Sequence, residues 1–229
     1  MTVETRKRMT KIDAVLFDMD GVLIDSEPVH YRMAFETLAH FGLPTPTEQE
    51  YDEHLFGRPD RDGFSDWLLR NHLDWPVDDL LVEKLNRMKQ SFADLVKPCP
   101  DGQWLARELA RRGMPLAIVT GGRRAELDMV VDLFNLGDVF RATISSDDVP
   151  EGKPDPGPFL AGAAALGVEP TACAVIEDAV PGLRAAEAAG MWPIVVDRSG
   201  DPARFAPATP VDQLDQSVLN MILERVSQR

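Results

Sequence analysis

Cysteine is nearly absent: only Cys99 and Cys173 occur in 229 residues, without the close spacing of a metal-ligand or redox pair. So few thiols exclude a disulfide-stapled secreted scaffold and point to a reducing cytoplasm. Long hydrophobic runs are also missing. No apolar stretch approaches the ~20 residues that a membrane-spanning helix needs, and Arg6, Lys7, Arg8 and Lys11 are not followed by the apolar segment of a signal peptide. That basic patch reads as a solvated start of the chain. Positive charge is scarce, with 24 Lys and Arg against 38 Asp and Glu and a formal net charge of -14. A mean field of that sign repels nucleic acid and anionic membranes. It leaves room for a small anionic substrate only where local cations override it. Internal repeats and low-complexity tracts are absent as well.

What is present is an ordinary globular composition, 44% hydrophobic and 27% charged, enough for one substantial core plus an inserted module. Five short apolar runs each finish at a polar or small residue: Ala14 to Phe17 before Asp18, Pro115 to Val119 before Thr120, Ala142 to Ile144 before Ser145, Ala174 to Ile176 before Glu177, and Pro193 to Val196 before Asp197. Continuous runs of this kind suit strands covered on both faces. Between them apolar residues recur at helical spacing, as in Leu127, Val130, Val131 and Phe134, or Phe159, Leu160, Ala163 and Leu166. Gly113, Gly167 and Gly190 stand where the helix C-termini should fall. The alternation predicts an α/β fold with a doubly wound parallel sheet. After Pro207, Val211, Leu214, Val218, Leu219 and Ile222 predict a final helix.

From about Glu27 to Val96 no strand pattern occurs. Helical stretches run instead from Val29 to Phe41, Phe64 to Leu73 and Leu80 to Leu95, punctuated by Pro44, Pro46, Pro59 and Pro76. An all-helical segment between the first two strands of a parallel sheet reads as an inserted cap. The expected organisation is a discontinuous core, 10–25 with 97–229, and a helical cap over 26–96, able to act as a lid.

The chemistry gathers at the strand ends. Asp18-Met19-Asp20-Gly21 follows the first run directly, and open α/β sheets place their sites at such ends. Asp18 and Asp20 can converge there, and converging acids stay ionised together only with a compensating cation or hydrogen-bond network, for which Mg2+ is a common choice. Taken alone, a strand followed by an Asp-Gly turn explains the same four residues equally well. Thr120-Gly121-Gly122 offers a hydroxyl and successive backbone N–H groups for a phosphate, or is a plain strand-to-helix turn. Lys153, between Gly152 and Pro154, is either a fixed cation or a surface lysine. Glu177-Asp178 reads either as a metal-ligand pair or as N-terminal helix charge, with Pro181 suited to the helix's first turn.

In order along the chain, D-x-D-G-V, T-G-G, G-K-P and E-D resemble the four signature motifs of the haloacid dehalogenase-like superfamily, over about Ile12 to Asp197. The resemblance implies a Mg2+-dependent phosphotransferase with a Rossmann-like core carrying helices on both faces. It implies that Asp18 attacks phosphorus and forms an aspartyl-phosphate, and that Asp20 serves as general acid and then base, with its carbonyl on the metal. Thr120, Gly121, Gly122 and Lys153 would bind the phosphoryl group, Lys153 also neutralising Asp18, and Asp178 with Glu177 would complete the metal set of Asp18 and Asp20. Superfamily members that remove halide lack an aspartate two positions after the nucleophile, so Asp20 argues against dehalogenation.

The Asp25-Ser26-Glu27-Pro28 exit and the helical insert resemble the subgroup that includes β-phosphoglucomutase, sugar phosphatases and phosphoglycolate phosphatase. Within it, Phe56-Gly57-Arg58-Pro59 is similar to the cap's specificity loop, and His30 to a histidine of the mutases' first cap helix. Glu27, His30, Gly57 and Arg58 are therefore the expected substrate-facing residues of the cap. The departures are Asp60, where the mutase loop has an arginine for a second phosphate, and Phe56 in place of its lysine; Arg61 compensates only if the loop shifts. Gly121 and Gly122 also replace the commoner small polar residues. The expected activity is a phosphatase for a small phosphorylated metabolite such as a sugar or polyol phosphate, with a hexose phosphate mutase as the alternative and a dehalogenase or a non-catalytic binding module behind it. A monomer is the default expectation, with a dimer possible.

Overall fold

The computed structural model describes residues 11–55 and 60–226. The chain forms two compact units, one of the residues up to Ile24 and from Pro98 onward, the other Asp25–Lys97. The first unit is built on a five-stranded parallel sheet of β1 (Ala14–Phe17), β4 (Leu116–Val119), β5 (Ala142–Ile144), β6 (Cys173–Glu177) and β7 (Trp192–Val195), in the order β5-β4-β1-β6-β7. Two further short strands, β2 (Ile24–Asp25) and β3 (Lys97–Pro98), pair with each other where the chain passes between the units.

Every residue of β1, β4 and β6 is buried, as continuous apolar runs require. On one face Leu16, Val119 and Val175 pack with Phe159 and Ala163 of α7 (Gly157–Leu166) and with Ala185 and Ala186 of α8 (Val180–Ala188). Alternate side chains point the opposite way. Val15, Phe17, Ile118 and Ile176 are just as fully buried, and Phe17 meets Phe140 edge-on with ring centroids 5.6 Å apart. Both faces of the sheet are thus covered. α5 (Pro100–Arg111) packs on β4 and on the terminal α9 (Gln216–Leu223), while α6 (Arg124–Leu133) follows β4. Gly167 ends α7 in the left-handed conformation at φ 67°.

Strand order decides where the crevice lies. From β1 the sheet grows through β4 to β5 on one side, then the chain crosses back to place β6 and β7 on the other. The reversal leaves an opening beside the carboxyl end of β1, where helices on either side diverge. Asp18 is the next residue after that strand, and its N–H still joins the ladder at 2.9 Å from the Ile176 carbonyl.

The second unit is helical: α1 (Glu27–His40), α2 (Glu48–His54), α3 (Asp60–Arg70) and α4 (Val77–Leu95). Its core gathers Ala34, Leu38, Tyr51, Leu55, Phe64, Trp67, Leu68 and Leu80. The short α2 has no counterpart in the sequence reading. Tyr51 is its one buried residue, so apolar periodicity is silent; the signal was the capping box, in which Thr47 Oγ1 accepts from Glu50 N at 3.2 Å and the Glu50 carboxylate accepts from Thr47 N at 2.9 Å. The final helix also starts later than its apolar spacing suggests. Asp215 caps it through Ser217 N and Val218 N, whereas Val211 bridges Val196 in extended form and Leu214 precedes the cap. Among the described residues no helix is long and apolar enough to cross a membrane.

Leu16 is fully buried between strand and helix layers. Leu16→Ala is expected to lower stability by about 2–5 kcal/mol through lost transfer energy and the cavity left behind. Urea unfolding with an unchanged m-value and a lower midpoint checks this.

Candidate active site

The chain turns sharply after β1. Leu23 N and Ile24 N both donate to the Met19 carbonyl, at 2.8 and 3.1 Å, and Gly21 N donates to Ile24 O at 2.7 Å. Closing so tight a loop puts Gly21 at φ +70°, and a Cβ there would lie 1.9 Å from Asp178 Oδ2. Both the backbone conformation and the space demand glycine. The turn brings the Asp20 carboxylate to 3.4 Å from Thr120 Oγ1, at the end of the neighbouring β4. Thr120 Oγ1 in turn accepts from Gly122 N at 2.8 Å. Helix α6 begins only at Arg124, so Thr120-Gly121-Gly122 forms a self-bonded turn ahead of the helix rather than its first residues.

Lys153 holds the centre. Its Nζ donates to Asp18 Oδ1 and Glu177 Oε1, each at 2.6 Å, and to the Val119 carbonyl at 3.1 Å. The Phe159 ring lies 4.8 Å from the ammonium. Burial works against a charged lysine, but the carboxylates of Asp18 and Glu177 outweigh it and raise the pKa, so the ammonium persists. Glu177 spends its second oxygen on Asp178 N and Ala179 N, both at 2.9 Å, at the N-terminus of α8. Sequence reading did not anticipate the Val119 carbonyl or Phe159, because nothing in either residue's type marks it.

Asp18, Glu177 and Asp178 each present an oxygen within 4.8 Å of the others. Burial, aided by the facing acids and only partly offset by Lys153, holds Asp18 well above the usual carboxylate range. Burial and the charges of Glu177 and Asp20 push Asp178 up to about 7. Three crowded carboxylates with one ammonium make a hard, oxygen-rich, electron-dense donor set, which fits Mg2+. The structure therefore brings Asp18, Asp20, Thr120, Lys153, Glu177 and Asp178 to one end of the sheet.

The expected cap residues belong to the helical unit. Glu27 accepts from the Tyr51 hydroxyl at 2.8 Å, and His30 Nδ1 lies 3.4 Å from Lys84 Nζ. Lys84 is buried and ion-paired with Asp60, and Arg61 is ion-paired with Asp78. The sequence reading missed Lys84, although it stands in line with the buried Leu80 and Phe92 on the apolar face of α4. A charge at that spacing was the available signal. Gly57 and Arg58 lie outside the described residues.

Residues 15–196 match the family model for haloacid dehalogenase-like hydrolases. The chain belongs to that family. Hexitol phosphatase B of Escherichia coli (strain K12) is 33% identical over 202 residues, covering 86% of this chain and 90% of that protein. Fructose-1-phosphate phosphatase YqaB of the same organism is 34% identical over 181 residues, covering 77% and 92%. Among solved structures, CbbY from Rhodobacter sphaeroides in complex with phosphate superposes with a TM-score of 0.76 at 28% identity, covering 90% of this chain and 96% of that one.

Two consequences of this hydrolase's charge cluster are measurable. Asp178 sits near 7 in the fold against an ordinary value of 3.8, so between those values the folded protein binds the extra proton and stability falls as pH rises. In EDTA the melting temperature should therefore drop from pH 5 to pH 8, by an equivalent on the order of 2 kcal/mol, and Mg2+ should restore it at pH 8. Asp178→Asn should shrink both the drop and the Mg2+ response, leaving the part that the raised pKa of Asp18 contributes. Lys153→Met leaves Asp18 and Glu177 buried without their cation, at a cost of about 3–5 kcal/mol at neutral pH. Denaturant titrations should show that loss shrinking as acid protonates Asp18, whose carboxyl burial already holds well above the usual range.

Proposed function

We propose that the chain is a Mg2+-dependent phosphatase acting on a small phosphorylated metabolite, a sugar or polyol phosphate, through an aspartyl-phosphate on Asp18. The reading is carried by Lys153, whose ammonium at 2.6 Å from Asp18 Oδ1 offsets the charge of a carboxylate that must approach a phosphate dianion. In the first step an Asp18 oxygen bonds to phosphorus as the bond from phosphorus to the ester oxygen breaks, and Asp20 donates a proton to the departing alkoxide. In the second, Asp20 takes a proton from water, the water oxygen bonds to phosphorus and the Asp18–phosphorus bond breaks, releasing inorganic phosphate. Lys153 and Thr120, with the turn at Gly121 and Gly122, hold the phosphoryl oxygens. Asp18, Asp178 and Asp20 would hold Mg2+, with Glu177 completing the acidic set while it engages Lys153. When bound, Mg2+ neutralises charge on the phosphoryl oxygens and on the nucleophile.

In this reading the helical segment 26–96 is a substrate-selecting cap, with Glu27, His30, Gly57 and Arg58 as its substrate-facing residues. The named activities of the two E. coli relatives support a carbohydrate phosphate as substrate. A mutase must also grip a second phosphate. Asp60, at the place where a mutase loop carries arginine, is instead the ion partner of Lys84, which favours hydrolysis. The two buried free thiols suit a reducing cytoplasm.

The test is a panel of hexitol phosphates, fructose 1-phosphate and glucose 1-phosphate, assayed with Mg2+ and with EDTA. Mg2+-dependent phosphate release is expected, with Asp18→Asn lowering kcat by at least ~1000-fold and Asp20→Asn by about 100- to 10,000-fold. Interconversion of hexose phosphates without phosphate release would establish the mutase instead.

A further inference from the structure

Gly21 is held from three sides. Its N–H is bonded to Ile24 O at 2.7 Å, and its α-carbon abuts the Asp178 carboxylate. Its carbonyl accepts from Arg198 Nε at 3.0 Å. Arg198 comes from the loop after β7, far from every motif singled out in the sequence. Its Nη2 donates to Asp101 Oδ1 at 2.8 Å, and Asp101 Oδ2 accepts from Leu214 N at 3.1 Å. Asp101 lies in the first turn of α5, directly after β3, so one guanidinium ties the loop that leaves β1 to the segment by which the chain re-enters the core. That segment is seated against the same loop by other contacts. Cys99 N and Gln103 Nε2 donate to Leu23 O at 2.9 and 3.1 Å, and a Cβ on Gly102 would lie 1.8 Å from Val22 O.

We propose that Arg198 is a positioning residue that locks the Asp18–Gly21 loop in its reactive shape by clamping the Gly21 carbonyl to Asp101. The role in turnover rests on the phosphatase reading above. The planar fork of arginine serves two acceptors in different directions, which the single ammonium of lysine cannot reproduce. Because the side chain is 31% exposed, water can replace it, and Arg198→Ala should fold. The loop would then sample geometries in which Asp18 and Asp20 are misaligned, an error that lowers kcat more than it raises KM.

The experiment pairs kinetics on p-nitrophenyl phosphate with Mg2+ and amide hydrogen exchange on the full chain. For Arg198→Ala we expect kcat reduced by roughly 10- to 100-fold with KM within about twofold, and exchange at residues 21–24 faster by at least about tenfold while β4 and β6 keep wild-type protection. Arg198→Lys should fall between wild type and alanine. Asp101→Ala should resemble Arg198→Ala, and the double variant should be no worse than the poorer single one. Wild-type exchange at 21–24, or faster exchange spread equally over the whole sheet, overturns the proposal. If the wild-type protein releases no phosphate from any ester, the phosphatase reading fails, and the exchange pattern alone decides the clamp.

Discussion

One buried ammonium underlies the arrangement at the sheet's carboxyl edge. Asp18 and Glu177 arrive there at the ends of β1 and β6 because parallel strands all end on the same side, and two acids brought so close repel, with burial already holding Asp18 well above the usual carboxylate range. Lys153, donating to both at 2.6 Å, makes the juxtaposition tenable. Its weight differs from that of the surface pairs Arg32–Glu36 and Arg70–Asp66, which solvent screens to about 0–1 kcal/mol each. The compensation is incomplete, since burial and neighbouring acids still push Asp178 to about 7. A dication would relieve that imbalance, so in the proposed reading the same electrostatics that weaken the metal-free fold would favour binding of Mg2+.

The sheet supplies the rigidity that this balance requires. Asp18 continues the β1 ladder through Ile176 O, and Thr120 continues β4 through Ile144 O, so both side chains are carried by fully buried backbone rather than by free loops. The loop from Met19 to Ile24 is the exception. It departs from the sheet and is stabilised by its own turn, by α5 and by Arg198. In the proposed mechanism this separates the parts physically: the groups assigned to the phosphoryl oxygens are anchored by the sheet, and Asp20, the proposed proton carrier, sits on the turn.

In the helical unit two buried polar groups are likewise paired, Tyr51 with Glu27 and Lys84 with Asp60. A lysine buried on the apolar face of α4 is expensive to desolvate and is retained with a partner. Asp60 is therefore charge-matched within its own unit, and the unit's chemistry differs from one offering an arginine at that position. If the helical unit is the proposed substrate-selecting cap, such changes would alter selectivity while leaving the strand-end residues untouched.

Much of the fold was legible in the sequence because it rests on local periodicity: five apolar runs became the five parallel strands, and Gly167 ended a helix where the phasing required it. α2 escaped because a capping box, not an apolar stripe, defines it, and the last helix began only at Gln216 because the Asp215 side-chain cap overrode the apolar spacing. The ordered motifs named Asp18, Asp20, Thr120, Lys153, Glu177 and Asp178, since charged and hydroxylic residues at strand ends are visible one by one. Which oxygen meets which nitrogen was not visible. The pairing of Lys153 with Asp18 was implied by the resemblance, but its further bonds to Glu177 and Val119 O, and the reach of Arg198 to Gly21 O across 177 positions of sequence, were decided only by the tertiary structure. The reason is physical: sequence dictates the chemistry each strand end carries, whereas hydrogen bonds between distant segments depend on the register and crossover of the strands that deliver them.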